Sequence, residues 1–327
     1  IITDHHEPVR IGSSEFHLPD ALAIINPKLL SKNTQLTTLS GAGVAFMFIM
    51  GLFENNIDDV YELFDLAAIG TASDVVSVMA DNRIILKEGI KLIQSGQRPG
   101  IKALKDVSGV CSKIFKTSYL HYSIIPRINA AGRIADATDV VRLLTTKSEV
   151  EAIELAKWLN DLNQKRQNIE ESVYNEAKEM LNFDKHSVIV LASEGWHQGV
   201  VGIVASKIAE EYFSPTFVIS IQNGVAKGSG RSIPQFDIHY GLTQCKEILK
   251  RFGGHKHAVG LSLSSENIDI FRSMISAVVK NTLTEDDFIP VLNIDAAVTM
   301  SDINIGLINE ISWLEPFGYC NKEPLFG

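Results

Sequence analysis

The stretch Ile1-Ile2-Thr3-Asp4-His5-His6 places three polar side chains directly after an apolar run. The apolar run predicts a short strand, so these side chains fall at a strand end, at the edge of a sheet. A carboxylate beside two imidazoles offers oxygen and nitrogen donors that suit a divalent ion such as manganese, iron or zinc. The alternative is a surface turn in which Asp4 caps the backbone that follows. The tripeptide by itself leaves both interpretations open.

The residues around this stretch, from 1 to about 146, alternate between short apolar runs and helical patterns. Strands are predicted at 21–25 and 66–69, with helices at 44–53, 58–64 and 82–93. Such alternation predicts an α/β domain with a mainly parallel sheet. Asp74 follows the 66–69 run, at the edge where open sheets place their sites, although it could simply cap a turn. Asp65 precedes the same run and is interpreted as structural.

The rest of the chain divides into three further parts. Apolar residues recur at helical spacing over 147–182 without Gly or Pro, which predicts one long connector helix. A smaller α/β domain is predicted over 183–284, with strands at 187–192, 216–221 and 258–263 and helices at 199–212, 239–252 and 268–283. The alternation of Val291, Ile294, Ala296 and Val298 predicts the start of another unit over 285–327.

Three clusters outside the first stretch contain residues that bind anions in other proteins. Arg127, Asn129 and Arg133 are separated by small residues and could grip phosphates, or could be solvated side chains on a helix that ends at glycine. Ser229 and Arg231 lie in a glycine-rich segment that is either an anion-binding nest or a hairpin turn. His255 follows two glycines in a predicted turn between a helix and a strand, where it could donate to a phosphate oxygen.

Composition limits the classes of protein to consider. The net charge of −9 over 327 residues argues against a protein that coats polyanions by charge alone, but it leaves room for a local basic groove. The longest uncharged apolar stretch, 41–53, is too short to cross a bilayer. The three widely spaced cysteines fit a reducing cytoplasm. Because the chain starts at Ile1 rather than Met, we expect it to be part of a longer protein.

These residues together resemble the DHH phosphoesterase superfamily and, within it, the RecJ family of single-stranded-DNA exonucleases. The resemblance extends over the whole chain and includes Asp4-His5-His6 and the segments 40–45, 65–76, 126–133, 196–203, 228–232 and 253–255. The closing segments 314–318 and 321–324 resemble the entry to the OB-fold domain of that family. The segment 126–133 separates the RecJ family from its shorter relatives.

The resemblance implies a metal-dependent 5′–3′ exonuclease that hydrolyses single-stranded DNA in recombination and repair, with a DHH and a DHHA1 domain. It implies that Asp4, His5, His6 and Asp74 are catalytic, and that His5 and Asp74 bind Mn²⁺ or Mg²⁺ in a two-metal site. Substrate would be held by Arg127, Asn129, Arg133, Ser229, Arg231 and His255. Single-strand-binding protein and repair helicases are the implied partners, and no association with a membrane is implied.

The aspartate motifs of the family that precede DHH are missing here. We therefore expect the chain alone to bind metal poorly and to have little nuclease activity. One alternative is a DHH phosphodiesterase for short oligonucleotides or cyclic dinucleotides. Another is a RecJ-like DNA-binding scaffold that has lost its metals.

Overall fold

The computed structural model describes residues 1–11, 15–29, 35–111, 114–181 and 186–327. The chain forms two compact units. The first comprises Ile1–Ala131, Asp136–Asp161 and Asn293–Gly327, and the second comprises Gly132–Ala135 and Leu162–Leu292. The mixed α/β class predicted from the sequence is confirmed. The predicted division at 182–183 lies outside the described residues, and the other predicted boundaries stay predictions.

The first unit is mainly helical, with two small sheets. The strands are β1 (Ile2–Thr3), β2 (Val9–Ile11), β3 (Glu15–His17) and β4 (Ile24–Ile25). Strand β1 pairs in parallel with β4, and β2 pairs antiparallel with β3. The helices are α1 (Gly41–Leu52), α2 (Ile57–Val60), α3 (Phe64–Ser73), α4 (Ala80–Ser95), α5 (Pro99–Val107), α6 (Thr117–Tyr119), α7 (Ile125–Ile134), α8 (Thr138–Thr145), α9 (Glu149–Glu179) and α13 (Ile305–Ser312), of which α7 and α9 continue into the second unit.

Small residues let α1, α3 and α4 pack closely. A Cβ at Gly70 of α3 would overlap the Cβ of Ala42 on α1, and a Cβ at Gly89 of α4 would overlap Ala68 and the carbonyl oxygen of Phe64. At the start of α1, Ser40 accepts a hydrogen bond from the Gly43 amide at 2.9 Å. This close packing fixes the C-terminal end of α3, where Asp74 lies.

The 66–69 run, predicted as a strand, is instead part of helix α3. That prediction was wrong because a short apolar run cannot distinguish a buried strand from a helix buried on every side. Most of α3 is buried, so the run has no polar face to reveal helical periodicity. Asp74 consequently follows a helix rather than a strand. Asp65 is buried in α3 and forms a two-pronged ion pair with Arg98, with N–O distances of 2.7 and 3.0 Å, so its contacts are structural.

Helix α7 is preceded by a π-helical turn, Leu120–Ile124, and the cause is Pro126. Proline has no amide hydrogen, and its ring would clash with the carbonyl of Tyr122, four residues earlier, in a regular α-helix. In the wider turn, the Ile125 amide donates to the carbonyl of Leu120, and the carbonyl of Tyr122 no longer lies against the proline ring. Helix α9 is the single long helix predicted over 147–182.

The second unit is built on one five-stranded mixed sheet. Its strands are β5 (Ile189–Glu194), β6 (Thr216–Gln222), β7 (Val225–Arg231), β8 (Leu249–His255) and β9 (Ala258–Ser264). They lie in the order β5-β6-β7-β9-β8, in which only β5 and β6 are parallel and the other neighbours are antiparallel. The helices are α10 (Val201–Tyr212), α11 (Ile238–Gln244) and α12 (Ile268–Thr282).

The two faces of this sheet are covered to different extents. Helices α11 and α12 cover one face, where a core forms around Phe217, Phe236 and Phe271. On the other face, α10 and the end of α9 pack on β5 and β6 around Ile189, Leu191 and Val218. Residues of β8 and β9 that point to this second side stay exposed or half-buried: Arg251, Gly253, His255, Ala258, Gly260 and Ser262. Half of this face is therefore open.

One expectation for residues 239–327 differs from the structure. The predicted helix 239–252 ends at Gln244, and β8 begins at Leu249, because Arg251 to His255 pair with β9. Within the described residues from 289 onward, strand pairing is limited to isolated bridges between Ala296 and Phe326 and between Gly318 and Asn321. The start of an OB-fold there stays a prediction.

Candidate functional site

His5 and Asp74 meet in the first unit, although 69 positions separate them in the sequence. Asp4 continues the β1–β4 pairing by donating its amide to the carbonyl of Ile25 at 3.0 Å, and His5 follows directly. The Nδ1 atom of His5 lies 3.3 Å from Oδ2 of Asp74, with side chains 18% and 35% exposed. An imidazole nitrogen and a carboxylate oxygen at this distance can bind one divalent ion, or Asp74 can fix the His5 ring so that Nε2 binds it.

Helix α1 supports the His5 ring from the other side. A Cβ at Gly41 would lie 3.3 Å from Cδ2 and 3.8 Å from Nε2 of His5, so glycine leaves room for the ring. The position of Gly41 is held by Ser40, whose hydroxyl lies 2.9 Å from that of Thr71 in a buried contact with α3. The contact connects the start of α1 to the helix that ends next to Asp74.

Asp4 orients the His6 ring. Its Oδ1 lies 2.7 Å from Nδ1 of His6 and accepts the backbone amides of His5 at 2.8 Å and His6 at 3.3 Å. Partial burial acts to raise the pKa of Asp4, but these hydrogen bonds outweigh it and the net pKa is lowered. The backbone of His6 is held by the Asn26 side chain, which donates to its carbonyl at 2.9 Å. The exposed His6 ring is therefore presented to solvent in a fixed orientation.

The donor set in the described parts of the chain is small. Within them, no group of three or more His, Cys, Asp or Glu side chains is arranged to hold a metal ion. His5 and Asp74 supply one nitrogen and one oxygen donor. The weak metal binding expected of the chain alone stays a prediction.

Arg127 makes protein contacts in the first unit. Its Nε donates to Oδ1 of Asn160 at 3.1 Å, and its Nη1 donates to the carbonyl of Ser123 at 2.6 Å. Burial lowers the pKa of this guanidinium, which remains protonated. Asn129, two residues after Arg127 on α7, is half-buried. Neither contact of Arg127 excludes substrate, because Nη2 is not used in them.

Arg133 belongs to the second unit and is tied to the loop before α10. Its Nη1 donates to the carbonyl of Gly199 at 3.0 Å. A Cβ at Gly199 would overlap the carbonyl oxygen of Arg133, so glycine is needed for this approach. Burial lowers the pKa of Arg133, the charge of Arg166 lowers it further, and Glu170 partly opposes these effects.

Ser229 and Arg231 lie on the same side of β7, against α10. A Cβ at Gly202 of α10 would lie 3.2 Å from both Oγ of Ser229 and Nη2 of Arg231. Burial lowers the pKa of Arg231, and the nearby positive charge of Arg133 lowers it further. A positive charge close enough to lower the pKa of a second guanidinium favours an anion bound near both groups.

The backbone of β7 does not form the nest considered from the sequence. Its amides and carbonyls pair with β6 on one side and β9 on the other, so any anion contact there comes from side chains. The segment 253–255 is likewise not a turn between a helix and a strand. It ends β8, and the turn that follows is Lys256-His257. His255 pairs with Ala258, which also pairs with Arg231.

Sequence reasoning missed several residues of this surface. A cavity of about 430 Å³ on the open sheet face is lined by Gln198, Lys227, Ser229, Arg251, Gly253, Gly260 and Ser262, among others. The missed signal was the alternation of Lys227, Ser229 and Arg231, which places all three on one face of a strand. Trp196 is buried in the core beside α10 and does not line this cavity.

Comparison with known proteins agrees with this arrangement. The DHHA1 domain model matches residues 185–281. The single-stranded-DNA-specific exonuclease RecJ of Bacillus subtilis is 40% identical over 99% of this chain. A crystal structure of exonuclease RecJ bound to manganese is 31% identical, with a TM-score of 0.67 over 87% of this chain and 71% of that chain. The chain belongs to the RecJ family.

The RecJ fold extends over nearly all of the chain. The crystal structure of RecJ in complex with Mn²⁺ from Thermus thermophilus superposes with a TM-score of 0.84 and 30% identity, over 96% of this chain and 47% of that chain. The chain spans 41% of the length of the Bacillus subtilis RecJ and 60% of that from Escherichia coli. Among the described helices, none is long and apolar enough to cross a membrane.

Proposed function

We propose that the protein containing this chain is a metal-dependent 5′–3′ exonuclease that hydrolyses single-stranded DNA in recombination and repair. The observation that carries the proposal is the pairing of His5 with Asp74, at 3.3 Å, in a chain of the RecJ family. Curated relatives are named single-stranded-DNA-specific exonucleases, and one related structure is described as bound to manganese.

His5 and Asp74 are the proposed ligands of Mn²⁺ or Mg²⁺. Their nitrogen and oxygen donors suit Mn²⁺, and the space left by Gly41 lets the imidazole keep its position. Divalent ions held there would supply an activated water molecule and stabilisation of the leaving oxygen. Asp4 contacts Nδ1 of His6, so Nε2 of the same ring is left to face the scissile phosphate. These four residues form the proposed catalytic group.

The proposed phosphate-binding residues are Arg133, Ser229, Arg231 and His255 in the second unit, with Arg127 and Asn129 in the first. The support for Arg133 and Arg231 is the effect of the Arg133 charge on the pKa of Arg231, together with the Ser229 hydroxyl, which like Nη2 of Arg231 would lie 3.2 Å from a Cβ at Gly202. A site with two guanidinium groups and a hydroxyl favours a terminal phosphate, which carries more charge than a diester. We further propose single-strand-binding protein and repair helicases as partners, in the cytoplasm.

The test uses the full-length protein with Mn²⁺ and compares a 5′-phosphorylated single strand, the matching duplex and a dinucleotide. We expect rapid loss of the single strand alone, and a fall of about 100-fold or more in rate for His5→Ala and Asp74→Ala. His17→Ala, which removes an exposed histidine on β3, is the control and should keep wild-type rates.

Other outcomes would select other functions. Faster turnover of the dinucleotide would make the protein a phosphodiesterase for short substrates. Tight binding of the single strand without cleavage under any divalent ion would make it a scaffold. Wild-type rates in both His5→Ala and Asp74→Ala would remove these residues from the metal site.

A further inference from the structure

The open half of the sheet in the second unit forms a regular grid of side chains. Cross-strand pairing gives three rows across β7, β9 and β8. They are Lys227–Ser262–Arg251, Ser229–Gly260–Gly253 and Arg231–Ala258–His255. The third row and Ser229 belong to the proposed phosphate site. The first row, which we call the Lys227 row, lies at the far end of the cavity and is not used by the function proposed above.

The middle row contains two glycines that the fold does not require. A Cβ at Gly253 or Gly260 would have no atom within 4 Å. By contrast, a Cβ at Gly228 would lie 2.7 Å from Cγ1 of Ile219, and one at Gly230 would lie 2.6 Å from Cε1 of Phe217. Glycine inside a strand weakens it and often marks a bulge, a tight bend or a place where a ligand or another backbone approaches closely. The irregular pairing of β8 lies between Leu249 and Arg251, whereas Gly253 pairs regularly with Gly260, which favours approach of a ligand there. Gly253 and Gly260 face each other across β8 and β9, so together they form a flat floor.

The Lys227 row combines two cations with a hydroxyl. Lys227 and Arg251 pair with the same residue, Ser262, from opposite sides, and all three line the cavity. Among the described residues, neither Lys227 nor Arg251 has a carboxylate oxygen within ion-pair distance. In a chain of net charge −9, two unpaired cations on one cavity wall are a local excess of positive charge. Gln198, at the edge of α10, adds a hydrogen-bonding group.

We propose that the Lys227 row is a second phosphate subsite. The glycine floor, Gly253 and Gly260, would hold the part of the strand that lies between the Lys227 row and the Arg231–Ala258–His255 row, here called the Arg231–His255 row. This inference rests on the proposed function. The two outer rows are four residues apart along β7, which is about 13 Å at the rise of a strand. One phosphate cannot reach both rows. The Lys227 row therefore contributes to binding only when the strand extends beyond a dinucleotide bound at the Arg231–His255 row.

The test measures binding by the full-length protein in EDTA, so that DNA is not cut, over a series of salt concentrations. The probes are a 5′-phosphorylated single-stranded 12-mer and a 5′-phosphorylated dinucleotide. For Lys227→Ala/Arg251→Ala we expect about tenfold weaker binding of the 12-mer and a salt dependence whose log–log slope is smaller by about 0.7, since the one phosphate neutralised at this subsite contributes about that much on a single strand. Binding of the dinucleotide should not change.

The control variant, Lys246→Ala/Lys280→Ala, removes the same charge from exposed residues outside the cavity. It should leave the 12-mer slope close to wild type. Equal slopes in the two double variants would overturn the subsite while leaving the proposed function intact. If the wild-type protein bound no single-stranded DNA, the proposed function would fail and this inference with it.

Gly260→Val tests the floor separately. Because a Cβ there meets no atom and β-branched residues favour strands, we expect an unfolding temperature equal to or above that of wild type. The valine side chain would occupy the floor, so 12-mer affinity should fall at least fivefold while the salt slope stays the same. Unchanged affinity in this folded variant would show that no nucleotide lies on the glycines.

Discussion

At the scale of single residues, Gly199 determines where Arg133 can lie. The carbonyl oxygen of Arg133 occupies the place of a Cβ at position 199, and the Arg133 guanidinium donates back to the Gly199 carbonyl at 3.0 Å. Gly199→Ala must push the two backbones apart. We expect at least tenfold weaker binding of a 5′-phosphorylated single strand, measured by anisotropy in EDTA, with little change for a strand that has a 5′-hydroxyl.

Gly132→Ala is the matched control, since this neighbour of Arg133 on α7 has no atom within 4 Å of its Cβ position. Alanine is the better helix former, so this variant should be more stable by about 0.5–1 kcal/mol and should bind as wild type does. Equal binding by both variants would separate Arg133 from the 5′-phosphate.

Cys245 gives a pH dependence of stability. It is fully buried in the second unit, and burial raises the pKa of its thiol from 9.0 to about 11. Below pH 9 the thiol is neutral in both folded and unfolded states. Between pH 9 and 11 only the unfolded state ionises, so stability falls by an amount on the order of 2–3 kcal/mol. In urea unfolding at pH 8, 9 and 10, the free energy of unfolding should fall less with pH in Cys245→Ala than in wild type. An equal fall in both proteins would contradict the role of Cys245 in this pH dependence.

At the scale of elements, the contact between α3 and α4 depends on Gly89. A Cβ there would overlap Ala68 and the Phe64 carbonyl of α3. We expect Gly89→Ala to destabilise the protein by about 1–3 kcal/mol in urea unfolding, because α4 must move away from a packed helix. Gly51→Ala in α1, where a Cβ meets nothing within 4 Å, should instead be neutral or stabilising. Equal stabilities of the two variants would contradict the packing argument.

The elements also show which features of the fold could be predicted from the sequence. The amphipathic pattern over 147–182 has one polar face and predicted α9 correctly. The strand predicted at 66–69 was wrong because burial on every side removes the periodicity that reveals a helix. The helix predicted at 239–252 was too long because the pairing of β8 with β9 is a contact that local sequence does not contain. Asp74 was selected by sequence although its supposed strand is a helix. Its approach to His5 depends on the packing of α1 against α3, which no local pattern contains.

At the scale of the whole molecule, the proposed metal ligands and most of the proposed phosphate-binding residues belong to different units. His5 and Asp74 lie in the first unit, and Ser229, Arg231 and His255 lie in the second. Each group is supported inside its own unit, by α1 and α3 in one case and by the mixed sheet and α10 in the other. Loss of one group should therefore leave the other in place.

Cleavage and binding should accordingly be separable in the full-length protein. We expect Asp74→Ala to abolish Mn²⁺-dependent cleavage while keeping single-strand affinity within about threefold of wild type in EDTA. Arg231→Ala should weaken binding by about tenfold or more, raise KM, and keep Mn²⁺ affinity, measured by calorimetry, at the wild-type value. The salt dependence of binding should fall in Arg231→Ala and stay unchanged in Asp74→Ala, because only the arginine neutralises a phosphate. Loss of Mn²⁺ affinity in Arg231→Ala would mean that the two groups act as one site.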